Sequence, residues 1–160
     1  MSSGKKHAAS YKKCIDLAKE LGDRENEMKA YLYLANTYQE MEQYDDAIRC
    51  SKNSIDLAKE LGDKENEMQA YLCLGNTYLE NTEYYDSVTY NQKCVNLAKE
   101  LDDKEHEMKA YLSLGNTFQN MDQYDDALKY SNTCLALAKE LGASEQEMKA
   151  YFSVGNTYHK

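Results

Sequence analysis

Between Lys5 and Leu21 the apolar and small residues fall at Ala8, Tyr11, Ile15 and Ala18, spaced by three and four, which predicts an amphipathic helix stopped by Gly22. Asp23 then stands at a helix N-cap position. Glu25 and Glu27 follow in the first turn, where carboxylates meet unpaired amides and the positive end of the helix dipole. The next helix is predicted to run to about Met41 and carries one stripe of Met28, Tyr31, Leu34, Ala35 and Tyr38. After a short break at Glu42-Gln43 a second stripe follows, made of Tyr44, Ala47, Ile48, Ser51, Ile55 and Ala58. Two apolar stripes joined by so short a break are expected to meet as an antiparallel pair. Ala35 and Ala47 would permit close approach, with tyrosines filling the wedge to the next pair.

The same order recurs with a step of 40 residues. The stretch Met68-Gln69-Ala70-Tyr71-Leu72-Cys73-Leu74-Gly75-Asn76-Thr77-Tyr78 has close copies beginning at Met28, Met108 and Met148, and Leu-Ala-Lys-Glu-Leu recurs at 57–61, 97–101 and 137–141. A fixed period of this length predicts an all-α solenoid in which each unit buries its apolar face on its neighbours. The expected array spans 1–160 as a single domain of about eight helices. It has full pairs at 24–61, 64–101 and 104–141, a lone second-type helix at 5–21 and a lone first-type helix at 144–160. With no proline and only seven glycines, nothing marks a linker. The two unpaired helices are expected to leave Ala8, Tyr11 and Ile15 uncovered at one end and Tyr151, Val154, Gly155 and Tyr158 at the other. Such ends fit a segment of a longer array, or copies that join head to tail.

Composition narrows the function. The 28 acidic and 19 basic residues give a net charge of −9, which opposes sequence-independent contact with a phosphate backbone, so nucleic acid is not an expected partner. No apolar run reaches membrane-spanning length and no signal-type segment follows Met1, so the expectation is a soluble, cytoplasmic protein with no membrane partner. Five cysteines without a Cys-x-x-Cys pair make neither a disulfide framework nor a zinc signature. Cys14, Cys94 and Cys134 share one register with Ser54, which predicts a small buried contact. Stacked helices lie roughly 9–10 Å apart, too far for these thiols to bridge. Lys19, Lys59, Lys99 and Lys139 near helix ends, and the Asp45-Asp46 and Asp125-Asp126 first turns, read as solvated charges complementing helix dipoles. No nucleophile with its base, paired carboxylates or phosphate-cradling glycine loop is present. His7, His106 and His159 are far apart, and His106 between Glu105 and Glu107 reads as an exposed first turn. The chain is therefore expected to be no enzyme and to need no cofactor or metal.

The run Leu74-Gly75-Asn76-Thr77-Tyr78, then Tyr84 and a small residue three further on, resembles the tetratricopeptide repeat. The 40-residue unit, with Leu-Ala-Lys-Glu-Leu-Gly-Asp-Lys at 57–64 where a proline turn is usual, is similar to the extended repeats of Pins/LGN-like and kinesin-light-chain-like arrays. The resemblance implies a right-handed superhelix and a protein-protein interaction module, an adaptor or scaffold. Such a module holds an extended peptide or a helix of a partner protein in a concave groove lined by first helices. Two departures stand out. Glu42, Thr82 and Asp122 occupy the place of a common glycine, so the first helices are expected to run on slightly further. Tyr84-Tyr85-Asp86-Ser87-Val88 makes the second full unit irregular and its pair is expected to be looser.

Carried over position by position, the implied groove residues are Lys29, Leu32, Tyr33, Asn36 and Gln39, then Gln69, Leu72, Cys73, Asn76 and Leu79. Lys109, Leu112, Ser113, Asn116 and Gln119 follow, with Lys149, Phe152, Ser153, Asn156 and His159 in the last helix. Asparagine is a poor mid-helix residue, yet its amide offers a donor and an acceptor, as clamping a peptide backbone requires. The competing explanation is that Asn36, Asn76, Asn116 and Asn156 persist from duplication, as the threonines beside them do. Tyr33, Cys73, Ser113 and Ser153 vary and are expected to set specificity. Lys29, Lys109 and Lys149 form a row open to acidic groups of a ligand or simply solvated. Leu32, Leu72, Leu112 and Phe152 stand where chaperone-tail clamps of related proteins carry lysine, which argues against that activity. The alternative from another class is a self-associating structural solenoid whose terminal helices join end to end.

Overall fold

In the computed structural model, which describes residues 2–159, the chain forms eight helices: α1 (Ser3–Leu21), α2 (Arg24–Glu40), α3 (Tyr44–Leu61), α4 (Lys64–Glu80), α5 (Tyr84–Glu100), α6 (Lys104–Asn120), α7 (Tyr124–Leu141) and α8 (Ser144–His159). The expected end of the last helix at Lys160 lies outside the described residues. Each helix packs on the one before and the one after it. The first-type helices α2, α4, α6 and α8 also approach one another in sequence through their backbones, whereas among the described residues the backbones of α1, α3, α5 and α7 stay further apart, α5 and α7 meeting only where Gln92 Nε2 donates to Tyr130 Oη at 2.7 Å. That asymmetry curves the stack and makes the first-type helices its inner, concave wall, so the architecture is an all-α solenoid.

The boundaries follow from local chemistry. Asp23, Asp63 and Asp103 each accept a hydrogen bond from the backbone amide three residues on, at 3.1, 3.0 and 3.0 Å. Ser2 caps α1 in the same way through Lys5, so that helix begins slightly earlier than the apolar spacing predicts. At the far ends Gly22, Gly62 and Gly142 adopt positive φ, and Asp102 does the same at φ 54° where a glycine is replaced.

The first helices do not run on past the missing glycine. Glu42, Thr82 and Asp122 themselves take the left-handed conformation, at φ 59°, 61° and 60°. Each costs about 1–2 kcal/mol of backbone strain. The cost is offset by the closing bonds it permits, Gln43 N to Tyr38 O at 2.8 Å and the equivalents at Glu83 and Gln123, each at 2.9 Å.

The core is a repeated contact between small residues. Ala35 and Ala47 are fully buried, as are Met28, Met68, Leu74 and Leu114. The irregular second unit is not exposed by its substitutions. Ser87 and Asn91, which replace an alanine and a serine of the other units, have no solvent exposure, and Ser87 Oγ donates to Gly75 O at 2.9 Å. The lysines near helix ends are more than solvated charge. Lys19 Nζ lies 5.8 Å from the Tyr31 ring centre and Lys139 Nζ lies 5.3 Å from that of Tyr151, which ties a second-type helix to the next first-type helix.

Three expectations are corrected. Ala8 and Ile15 are not uncovered: they are buried against α2, and Tyr11 stacks on Tyr33 with ring centres 5.7 Å apart. A second-type helix touches the first helix on either side of it, and these positions face the later one. Cys14 is exposed although Ser54, Cys94 and Cys134 are buried. Ser54 Oγ donates to Met28 O at 3.1 Å, so that register faces the first helix of its own pair, which α1 lacks among the described residues. On α8, Tyr151 and Tyr158 are exposed as expected, together with Met148 and Phe152, while Val154 is half-buried.

Candidate functional site

Residues three and four apart share a helix face, so the candidate positions on α2, α4, α6 and α8 rise as parallel rows along the inner wall. Most of them border three hollows along that wall. One lies between α4, α6 and α8 and is bordered by Leu72, Asn76, Leu79, Lys109, Leu112, Asn116 and Lys149. A second is bordered by Lys29, Leu32, Tyr33, Glu65 and Gln69, and a third by Asn36, Gln39, Glu40 and Glu80. Leu32 is buried and contributes mainly to the floor. Gln119 is half-buried, and Phe152, Asn156 and His159 are exposed on α8; none of these four borders the three hollows.

The lysine row is occupied. Lys29, Lys109 and Lys149 each meet the glutamate four residues earlier, at 2.9, 3.1 and 3.0 Å. The Glu25 carboxylate raises the Lys29 pKa through its hydrogen bond and charge. These pairs are solvent-exposed and weak, so a ligand can displace them at small cost.

The positions expected to set specificity are corrected. Cys73, Ser113 and Ser153 are buried, and only Tyr33 is exposed. Each buried residue faces the preceding second-type helix: Cys73 Sγ lies 3.6 Å from Ser51 Oγ, Ser113 Oγ 2.9 Å from Asn91 Nδ2, and Ser153 Oγ 2.9 Å from Ser131 Oγ. They form a polar layer between repeats. One step of 100° around the helix from the leucine row turns them toward that layer, with Ser113 still reaching the edge of the hollow between α4, α6 and α8.

Asparagine and threonine separate at this level of detail. Thr37, Thr77, Thr117 and Thr157 donate to the carbonyls of residues 33, 73, 113 and 153 at 2.7–2.9 Å, a local structural reason for their recurrence. Among the described residues Asn36, Asn76 and Asn156 make no side-chain hydrogen bond, whereas Asn116 Oδ1 accepts from Ser153 Oγ at 2.9 Å. Gln39 Oε1 lies 3.3 Å from Thr77 Oγ1, whose single proton is held by the residue-73 carbonyl at 2.8 Å, and Gln39 Nε2 donates to Glu80 at 3.3 Å. His106 is half-buried with Nδ1 2.9 Å from Asp103 Oδ2, so it takes part in the helix cap instead of standing free.

Sequence reasoning missed Asn91, a fully buried amide at the core position held by Ser51 and Ser131. A polar residue larger than its repeat equivalents on an apolar stripe was the available signal. The buried thiols are chemically quiet. Burial raises Cys50 and Cys134 to about 11 and Cys94 to about 12, so each is a protonated, packing side chain near neutral pH.

A stack of antiparallel helix pairs with a concave inner wall defines a helical-repeat protein of the interaction class. A family model described as tetratricopeptide repeat matches residues 26–100 and again 66–140, and the chain belongs to that family. No curated protein matches it in sequence. Among solved structures it is similar to aspartyl phosphate phosphatase F from Bacillus subtilis, at 19% identity and TM-score 0.83 over 90% of this chain and 38% of that one. It is also similar to BtubC (BKLC) from P. vanneervenii, at 16% identity and TM-score 0.80 over 99% of this chain and 67% of that one. A third likeness is to a putative kinesin light chain with nearly identical TPR-like repeats from Podosopora anserina, at 13% identity and TM-score 0.80 over 98% and 77%. At these identities the likeness is one of fold. The chain spans little more than a third of the phosphatase's length, 38%.

Proposed function

We propose that this array is a non-catalytic adaptor or scaffold that holds a segment of a partner protein along its concave wall. The reading takes 24–61, 64–101 and 104–141 as full repeats, with 5–21 and 144–160 as half repeats. The observation that carries it is the hollow between α4, α6 and α8. There half-buried Leu72 and Leu112 form an apolar floor beside the open amide of Asn76, the Asn116 amide with its Nδ2 uncommitted, and the displaceable Lys109 and Lys149. An apolar floor with polar groups converging above it holds a peptide's side chains and its backbone at once. The cytoplasmic setting belongs to the same proposal and is supported by five unpaired cysteines, four of them buried. The test is capture of partner peptides by the wild type and by Asn76→Ala with Asn116→Ala. Loss of capture with helicity retained is expected, and undiminished capture returns the asparagines to inheritance by duplication.

A second reading, end-to-end self-association, is favoured by one observation. Met148, Tyr151 and Tyr158 are exposed on α8, while Met28, Met68 and Met108 are buried under their second-type helices. The internal pairs also set its difficulty. A Cβ on Gly115 would approach Ser131 Oγ and the Ala127 carbonyl, and the residues of α1 in those two registers are the larger Tyr11 and His7. Arg24–Glu60 and Lys104–Glu140 bridge internal pairs at 3.7 and 3.0 Å, and the residue of α8 in that register is Ser144. Sedimentation equilibrium across micromolar to near-millimolar protein decides it: a monomer throughout eliminates the joint.

A further inference from the structure

We propose that Tyr85 is a phosphorylation site, a phenol presented at the start of α5 to a tyrosine kinase and, once modified, to a partner that reads phosphotyrosine through arginines. The first and third full units open their second helix with Tyr-Asp-Asp, at 44–46 and 124–126, whereas the second reads Tyr84-Tyr85-Asp86. Tyr85 therefore stands in the register of Asp45 and Asp125. It is 80% exposed, against 72% for Tyr158, 53% for Tyr33 and 51% for Tyr151. Tyr33 stacks on Tyr11 and Tyr151 lies under the Lys139 ammonium, while among the described residues no ring or cation packs on Tyr85. Packing thus supplies no reason for an aromatic side chain in a register that otherwise holds a carboxylate.

The surroundings suit the transfer. Glu83 and Asp86 flank the phenol, so a substrate groove lined by basic side chains is drawn to it. A kinase takes its substrate extended, and this helix start opens at small cost. Its N-cap Glu83 makes no side-chain cap bond, unlike Asp63 of α4 and Asp103 of α6, and its first turn carries one acidic residue where those of α3 and α7 carry two. Thr82, just before it, holds positive φ at 61° and releases that strain when the turn unwinds. Ser87 Oγ, bonded to Gly75 O at 2.9 Å, anchors the helix beyond. In the reaction Tyr85 Oη attacks the γ-phosphorus of ATP, the bond from that phosphorus to the bridging oxygen breaks, ADP departs, and the phenolic proton passes to the kinase's base.

The product fits the fold and stays available. Phosphorylation brings about −1.5 to −2 of charge to the register where Asp45 and Asp125 are already negative, at a helix start that favours it. No cation of the same turn captures it. Arg49, which pairs with Asp46 in the first unit, has Thr89 in its register, and the Thr89 hydroxyl donates to Tyr85 O at 3.1 Å. A phosphate left unpaired among acidic neighbours suits the arginine cluster of a partner, which contacts this turn and needs nothing from the concave wall.

The test treats the full chain with Mg-ATP and a purified tyrosine kinase domain that selects tyrosines flanked by carboxylates, and follows incorporation at each tyrosine by tandem mass spectrometry. Tyr85 is expected to be modified about tenfold faster than any other tyrosine of the chain, and Tyr85→Phe to remove most of the incorporation. The phosphorylated chain should keep its helicity by circular dichroism and melt within about 3 °C of the unmodified one. An immobilised phosphotyrosine-binding domain of broad specificity should retain it and pass both the unmodified chain and Tyr85→Phe treated in the same way. Incorporation at Tyr33, Tyr151 or Tyr158 as fast as at Tyr85, none at Tyr85, loss of helicity on modification, or no retention of the phosphorylated chain overturns the proposal, and none of these results bears on the groove.

Discussion

Replacing Gly75 by alanine should destabilise this protein although it improves a helix. A Cβ built at Gly75 lies 2.6 Å from Asn91 Nδ2, 2.7 Å from Cγ and 2.8 Å from Oδ1. Asn91 has no solvent exposure, and its Nδ2 is within 3.2 Å of Ser87 O, Ser87 Oγ and Ser113 Oγ, so it has nowhere to retreat. Overpacking costs about 1–3 kcal/mol, displacing a bonded buried amide about 1–3 more, and the glycine-to-alanine gain in helix propensity returns about 1. The middle of these ranges is a net loss of about 3 kcal/mol, or roughly 6–12 °C in thermal midpoint for a chain of this size.

The chain contains its own controls. Ala35 with Ser51 and Gly115 with Ser131 occupy the same registers and are fully buried at the second-helix serine. Asn91→Ser with Gly75→Ala therefore recreates a pairing that α2 and α3 already hold. The double variant should fall within about 1 kcal/mol of wild type, since it also removes Asn91 Oδ1, a buried oxygen with no partner. Thermal and urea midpoints followed by circular dichroism read the cycle. An unchanged or raised midpoint in Gly75→Ala alone, or a Gly75→Ala loss of the same size with and without the Asn91→Ser change, refutes the steric argument.

Two further outcomes follow from burial. Leu74→Ala should cost about 2–5 kcal/mol as a core truncation, because Leu74 has no exposure; an unchanged denaturation midpoint would place the helix register elsewhere. Cys50, Cys94 and Cys134 are raised by burial to about 11, 12 and 11, and burial raises Tyr71 and Tyr78 as well. Since the unfolded chain gives up these protons first, stability is whole below the ordinary thiol value of about 8.5 and is lost as pH rises toward the folded values. The urea midpoint should be level from about pH 6 to 8 and fall above about 9, while a thiol reagent at neutral pH labels Cys14 well before the buried cysteines. A midpoint level to about pH 11, or equal labelling rates, contradicts this.

The helices were legible because each boundary has a local cause. Apolar spacing gives the faces, Asp23, Asp63 and Asp103 give the starts, and Gly22, Gly62 and Gly142 give three of the ends. The ends at Glu40, Glu80 and Asn120 were misread because nothing in Glu42, Thr82 or Asp122 asks for positive φ. Docking the second helix on the first imposes that conformation, and the closing bonds to Tyr38, Tyr78 and Phe118 sustain it. The exposure of Cys14 was illegible for a related reason. Register predicts burial only where the neighbouring helix is in place.

The candidate wall was read less well because a helix in a curved stack has more than two faces. The leucine row borders the hollows, yet the adjacent residue, one step of 100° on, turns into the layer between repeats and varies there as Cys73, Ser113 and Ser153. Variation at those positions follows the partner across the layer, with Tyr33 against Tyr11, Cys73 against Ser51, Ser113 against Asn91 and Ser153 against Ser131. Recurrence likewise has two meanings in neighbouring residues. The threonines recur where each bonds its own helix backbone. The asparagines beside them carry a propensity cost, and three of the four form no internal side-chain bond among the described residues that would justify it. A residue that recurs in four repeats at a cost its own fold does not explain is where a ligand contact is the stronger physical account; that argument applies in full to Asn76, while Asn116 keeps only its Nδ2 uncommitted, and neither belongs to the more variable row beside them.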